Sequence, residues 1–346
     1  MLTAEGCRGR LARFLDRLRP TAPVILGDPL HLIYFADAYW DPFSLGADFG
    51  GRLQIDPDGK TTLHYDSRSP KSVDAAFADA RVITKWYDGQ SPGRGSRRLI
   101  GGTAPEALSE VHAIIDELRR AKDPDELDSL RRCMRVTEAG QAWARANVRP
   151  GMTEIDVYAG IVAECTQAAG HPVIVYGDFA VSPGSAKRGG VATDHVLRAG
   201  EMLILDFSVV IRGYRSDFTN TLVVGAEPTA EQRRLFDLCA AAMAAGEVEL
   251  KTGAKCQTVY DAVRGVFERA GVADHFPHHA GHGLGLSHPE APFFVRHSTE
   301  TLVEGDVVTL EPGLYVDGVG GIRIEHNYAI TATGYERLSH HALALN

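Results

Sequence analysis

Asp206, Asp217, His282, Glu311 and Glu325 each lie inside a short motif that presents the side chain: LILDFSVV, YRSDFTNT, HHAGHGLGL, TLEPGLYV and GIRIEHNY. One histidine and four carboxylates form a ligand set for a pair of divalent ions, the oxygens supplying charge and the imidazole a borderline-soft donor. A lone Asp or Glu is ordinarily a solvated surface charge, so the chemistry depends on whether folding gathers the five. Carboxylates inside strands are disfavoured and costly on a buried face unless paired. Four of them in two similar hairpins, with a Gly-flanked histidine between, point to a metal centre.

The elements that must position them follow from the pattern. Met202–Ile211 and Tyr214–Val224 are rich in strand formers and meet at Arg212-Gly213, a two-residue hairpin signal. That turn sets Ile211 opposite Tyr214 and Ser208 opposite Asp217, which puts Asp206 on the face of Asp217, one step diagonal to it. Val307–Val316 and Ile322–Thr331 flank Asp317–Gly321. If all five residues form the loop, Val316 faces Ile322 and Glu311 falls diagonal to Glu325. Pro312 removes a ladder donor and predicts an edge strand or a bulge there.

Composition narrows the function classes. Hydrophobic content of 44% and charged content of 23% are those of a globular chain, and 346 residues suffice for two domains. The formal net charge of -9 and the lack of a long basic cluster argue against a nucleic-acid partner. No apolar run reaches the length of a membrane span, and the charged N-terminus does not read as a secretory signal. Cys7, Cys133, Cys165, Cys239 and Cys256 lack a CxxC spacing, which predicts free thiols in a reducing, cytoplasmic compartment.

Two domains are expected, residues 1–118 and 119–346. The first reads as a small α/β domain: a helix near Glu5–Leu18, a strand at Val24–Leu26, a hairpin of Arg52–Ile55 and Thr61–Tyr65, helical Ser72–Ala80, extended Val82–Trp86, a loop at Asp88–Arg97 and a helix over Ala104–Leu118. In the second, Asp123-Pro124 opens a helix to about Val148, and Thr153 with Asp156 opens another to Gly170. Thr229 with Gln232 forms a capping box for a helix to about Lys251, and a fourth covers Thr258–Ala270. Two helices, an extended region and a carboxylate-bearing hairpin therefore occur twice. Two such halves would pool their hairpins into a curved antiparallel sheet covered by helices, an α+β architecture with the site where the halves meet.

The segments DFS...SDFTNT, GHGLGL, EPGLY and GIRIEH resemble the signatures of the pita-bread metallopeptidases, the family of prolidase and Xaa-Pro aminopeptidase. The resemblance runs from Arg119 to the C-terminus, and the leader resembles the creatinase-type N-terminal domain. It implies a pita-bread fold and a cofactor of two divalent metal ions, Mn²⁺, Co²⁺ or Zn²⁺. Asp206 would bind one ion, Asp217 and Glu325 would bridge both, and His282 and Glu311 would complete the other. A water between the ions would be the nucleophile and Glu311 its general base. His278 matches an additional active-site histidine, and Arg323 an arginine that supports Glu325. The implied substrates are short proline-containing peptides, and the implied assembly is a homodimer or higher homo-oligomer, with Tyr39, Trp40 and Asp41 in a loop toward a partner.

Two family histidines are displaced. The first should lie where this chain has Gly189; the second falls at Pro289, with His288 one residue early. Asn220 stands where the family has Arg. His288 is nonetheless a candidate to reach the site from a Pro-bent loop. Arg188, beside Gly189, is a candidate partner for a substrate carboxylate, which would favour dipeptides. The reading is an Xaa-Pro dipeptidase or aminopeptidase. Its rivals are another hydrolase of the fold, similar to creatinase or ectoine hydrolase, and a non-catalytic peptide-binding module.

Overall fold

A computed structural model describes residues 1–85 and 105–346. It divides into one compact unit of Met1–Arg119 with Asp123–Ser129, and a second of Arg120–Lys122 with Leu130–Asn346. Trp86, the loop expected at Asp88–Arg97 and Ala104 lie outside the described residues.

The first unit contains α1 (Ala4–Leu18), β1 (Val24–Leu26), α2 (Pro29–Ala36), β2 (Gly51–Ile55), β3 (Thr61–Asp66), β4 (Ala80–Thr84) and α3 (Pro105–Arg120). Its sheet runs β1-β2-β3-β4, with β4 parallel to β3 and the other pairs antiparallel. Alternate residues of β2 and β3 are buried, and Leu53, Ile55 and Leu63 belong to the buried core of this unit together with Phe14, Leu32 and Phe35. The pattern missed α2, PLHLIYFA, because its residues are apolar almost all round and give no amphipathic period. Its start was readable: the Asp28 side chain accepts from Leu30 N–H, and Pro29 opens the helix. The helix expected at Ser72–Ala80 is instead a short 3₁₀ turn, Lys71–Ala75, and Ala80 already belongs to β4.

The remaining elements are α4 (Pro124–Asn147), α5 (Glu154–Ala169), β5 (Ile174–Val181), β6 (Met202–Ile211), β7 (Tyr214–Arg215), β8 (Phe218–Val223), α6 (Ala230–Glu247), α7 (Cys256–Arg269), β9 (Gly281–Gly283), β10 (Glu290–Phe294), β11 (Val307–Leu310), β12 (Gly313–Val316), β13 (Gly320–Arg323), β14 (His326–Ile330) and β15 (Tyr335–Arg337). Helix pair, strands and carboxylate hairpin occur twice, as the sequence predicts. Capping boxes at Thr153–Asp156 and Thr229–Gln232 start α5 and α6. One core forms where α6 and α7 bury Leu235, Cys239, Val263 and Phe267 against Leu310, Leu314, Ile322 and Tyr328 of the second hairpin. All five cysteines are buried free thiols.

The first hairpin has the expected register. Arg212 and Gly213 both have positive φ, 50° and 88°, which matches the right-handed twist of the strands they join. Ile211 pairs with Tyr214 and Phe207 with Phe218, so Ser208 falls opposite Asp217.

The second hairpin differs by two residues. Val316 pairs with Gly320, not Ile322, and Gly313 with Arg323, so the loop is Asp317–Val319 with Gly318 at φ 79°. Glu311 therefore falls directly opposite Glu325. A slip of two residues preserves the face, which is why the grouping survives. Pro312 falls between two strands: β11 lies inside a sheet between β9 and β14, whereas β12 pairs with β13 in a two-stranded sheet. The strand lapses at Glu311-Pro312. There the Glu311 N–H crosses to Ala280 O (2.9 Å) and the Glu325 N–H to Thr219 O (3.0 Å). The second bond joins the two hairpins. It is reinforced by Thr221 Oγ1, which donates to Arg323 O at 2.8 Å, and by the Asn327 side chain, which bonds the Asp217 backbone in both directions.

Candidate metal centre

Where the hairpins meet, the five residues converge. Donor atoms of Asp206, Asp217 and Glu325 lie within 4.8 Å of one another, as do those of Asp217, His282 and His288. His282 Nε2 is 3.5 Å from Asp217 Oδ2 and 3.4 Å from Glu311 Oε1. Its other nitrogen, Nδ1, donates to Gly283 O at 2.9 Å, which leaves the Nε2 lone pair facing the carboxylates. The glycine before it is required: Gly281 has φ 157°, and a Cβ there would fall 2.1 Å from Thr309 O. This close approach lets Thr309 Oγ1 accept the His282 N–H and donate to Glu311.

The electrostatics are unbalanced without cations. Burial and the charges of Asp217, Asp178 and Glu311 push the Asp206 carboxyl up to about 7, against the opposing pull of Arg323. Glu325 is driven well above its ordinary value, first by burial and then by Asp217, Glu311 and Asp206. Burial also acts on Glu311, but His279, His282 and His278 outweigh it and hold that carboxyl below the usual range. Glu325 Oε2 accepts from Thr219 Oγ1 at 2.8 Å, while Oε1 is buried without a hydrogen-bond partner among the described residues. An orphaned carboxylate oxygen among three further carboxylates and a histidine lone pair is a donor set that fits divalent cations.

Around this set lies a cavity of about 570 Å³. His288 enters it and brings Nε2 to 2.6 Å from Asp217 Oδ2. Its loop is fastened on both sides. Arg215 donates to Leu286 O (2.8 Å) and to Tyr176 Oη (3.0 Å), while Glu290 binds the Ser287 N–H and the buried Lys122 ammonium (2.7 Å). The loop does not follow strand alternation, so the one-residue offset does not turn the side chain away. His278 has both ring nitrogens engaged, with His279 O at 2.7 Å and Tyr315 Oη at 3.1 Å, and burial pushes it down to about 4. The neighbouring His279 faces Glu311 instead, with Nδ1 3.3 Å from Oε1.

Arg323 grips Asp206 rather than Glu325: its Nε donates to Asp206 Oδ2 at 2.9 Å and Nη2 to the same oxygen. The Arg188 side chain is exposed at the cavity lining and has no hydrogen bond or ion pair among the described residues. His279, Tyr176, Tyr315, Arg215 and Asp178 were not anticipated. Asp178 was the most accessible of them, a carboxylate in the middle of the strand-like run IVYGDFAV.

Helices over a curved, duplicated antiparallel sheet, with a carboxylate–histidine cluster between the halves, define the pita-bread α+β class. The chain belongs to metallopeptidase family M24, whose model matches residues 128–332. An uncharacterized peptidase of Staphylococcus aureus (strain USA300) is 29% identical over 250 residues, 71% of this chain and 70% of that protein. Among solved structures, the prolidase from Pyrococcus horikoshii OT3 superposes with a TM-score of 0.76 at 21% identity, covering 98% of this chain and 100% of that one. The Xaa-Pro dipeptidase from Bacillus anthracis gives 0.77 at 23%, covering 99% of each chain. Zinc-substituted Escherichia coli aminopeptidase P gives 0.77 at 17%, covering 99% and 96%. At these identities the structural likeness speaks for the fold. Among the described residues, no helix is long and apolar enough to cross a membrane.

Proposed function

We propose that this protein is a dinuclear metal-dependent peptidase that hydrolyses the Xaa-Pro bond of dipeptides or short peptides. The observation that carries the reading is the sharing of Asp217 between two donor groups, beside the unpartnered Glu325 oxygen. Asp206, Asp217, His282, Glu311 and Glu325 would hold two Mn²⁺, Co²⁺ or Zn²⁺ ions. Such ions supply a water nucleophile at neutral pH and polarise the scissile carbonyl. Glu311 takes the proton of the attacking water, its Oε1 poised among His279, His282 and Thr309. His288 donates from Nε2 to the developing oxyanion or the leaving group. Arg323 fixes Asp206, and His278 fixes Arg323 through the Tyr315 hydroxyl. Arg188, exposed and without an ion-pair partner among the described residues, meets the substrate carboxylate.

Proline preference draws its support from the family and from the neighbours named prolidase, Xaa-Pro dipeptidase and aminopeptidase P. Residues 1–118 would act as a creatinase-type N-terminal domain beside a catalytic domain of 119–346. A cytoplasmic homodimer belongs to the same proposal. The test is hydrolysis of an Xaa-Pro dipeptide against a longer Xaa-Pro peptide by the metal-loaded protein, with Arg188→Ala alongside. Dipeptide preference that collapses in the variant is expected. Metal uptake with neither peptide cleaved would favour a binding module or another amide hydrolase of the fold.

A further inference from the structure

Asp178 is a cavity-lining carboxylate that the proposed ligand set does not use. It sits on β5 directly across the ladder from Asp206. Its Oδ2 accepts from Arg323 Nη2 at 2.7 Å, while Nε and Nη2 of the same guanidinium hold Asp206 Oδ2. Nη1 donates to Tyr315 Oη at 2.8 Å and to Arg188 O at 3.2 Å, so the guanidinium is tied on every side.

The charges show why a second carboxylate is needed. Asp206, Asp217, Glu311 and Glu325 together balance two divalent ions. Arg323 adds a buried positive charge in contact with Asp206, where it competes with a cation for that carboxylate and repels it. Asp178 cancels that charge and draws the guanidinium toward β5.

Gly189 supplies the space. A Cβ on it would fall 2.0 Å from Asp178 Oδ2 and 2.6 Å from Cγ, and its φ is 145°. Any side chain there would push Asp178 off Arg323. Sequence positions eleven apart thus behave as one device, a carboxylate and the vacancy that admits it.

We propose that Asp178 is a positioning residue of the metal centre, acting through Arg323 on Asp206, and that Gly189 is its steric counterpart. The proposal rests on the dinuclear reading above.

Equilibrium binding of Mn²⁺ and of Zn²⁺ to the metal-stripped full chain tests it. Asp178→Asn keeps an acceptor for Arg323 but removes the charge. Its metal affinity is expected to fall 10–100-fold, with the melting temperature of the metal-free protein unchanged. Asp178→Ala should lose at least as much. Gly189→Ala should reproduce the Asp178→Ala loss and add nothing to it in the double variant. Wild-type affinity in Asp178→Asn, or additive losses in the double variant, would overturn the inference while leaving the dinuclear reading intact. A wild-type chain that takes up neither metal would overturn both.

Discussion

Replacing Glu325 by Gln should stabilise the metal-free protein and disable the metal centre. In the fold, Oε2 accepts from Thr219 Oγ1, whereas Oε1 is buried with no hydrogen-bond partner among the described residues and faces three other carboxylates. A Gln carbonyl can keep the Thr219 bond while its amide donates to Asp217, Asp206 or Glu311. Relief of one buried unsatisfied acceptor is worth ~1–3 kcal/mol. For a domain of this size that raises the melting temperature by roughly 2–12 °C. The gain depends on pH. The folded Glu325 carboxyl titrates well above its ordinary value of 4.5, so the folded state holds a proton that the unfolded chain has released. Its contribution is complete below about pH 4.5 and is lost as pH rises toward the folded value. The Gln advantage should therefore be small near pH 4.5 and grow toward pH 8. Mn²⁺ at a hundred times its dissociation constant should add about 2.7 kcal/mol to the wild type and little to the variant. Thermal melts at both pH values, with chelator and then with Mn²⁺, supply the comparison. A metal-free Glu325→Gln protein less stable than wild type at pH 8, or one stabilised equally by Mn²⁺, would refute the reasoning.

His288→Ala should lower kcat roughly 10²–10³-fold with metal content retained, as for loss of one intermediate-stabilising donor; turnover and elemental analysis check both parts. Lys122→Met removes the ammonium that Glu290 binds, breaking a pair in which the Lys122 side chain is 1% exposed. It should cost about 3–5 kcal/mol in denaturant unfolding, much of it recovered in Lys122→Met/Glu290→Gln. His341 stacks on Phe218, and burial pushes it down to about 4 from 6.5. A histidine held neutral in the fold contributes fully above pH 6.5 and loses that contribution as pH falls to 4, about 3 kcal/mol in all. His341→Gln should flatten the stability profile over that window, as read by urea unfolding at stepped pH.

The gathering of the five candidate ligands was legible because several weak rules agreed on them: strand propensity, hairpin turn chemistry and the cost of burying an unpaired carboxylate. The second hairpin shows how far such rules reach. Loop length was misjudged because Gly320 and Gly321 read as loop, yet both continue the ladder opposite Val316 and Tyr315. Parity alone kept Glu311 and Glu325 on one face. The substrate side was less legible. Whether His288 reaches Asp217 depends on Arg215 and Lys122 fastening its loop, contacts between residues far apart in the chain. Asp178 went unmarked because β5 joins β6 through a long connection, with no tight turn to announce the register that sets it opposite Asp206. Gly189 read as a missing histidine, while the structure shows it as room for a carboxylate.

The central claim is that five residues form one centre with Asp217 shared between two ions. Counting bound Mn²⁺ per chain in wild type and in Asp217→Asn, by titration calorimetry with elemental analysis, tests it most directly. The account predicts two ions in the wild type and loss of tight binding at both positions in the variant. One ion per wild-type chain, or a variant that loses one and keeps the other at full affinity, would contradict it.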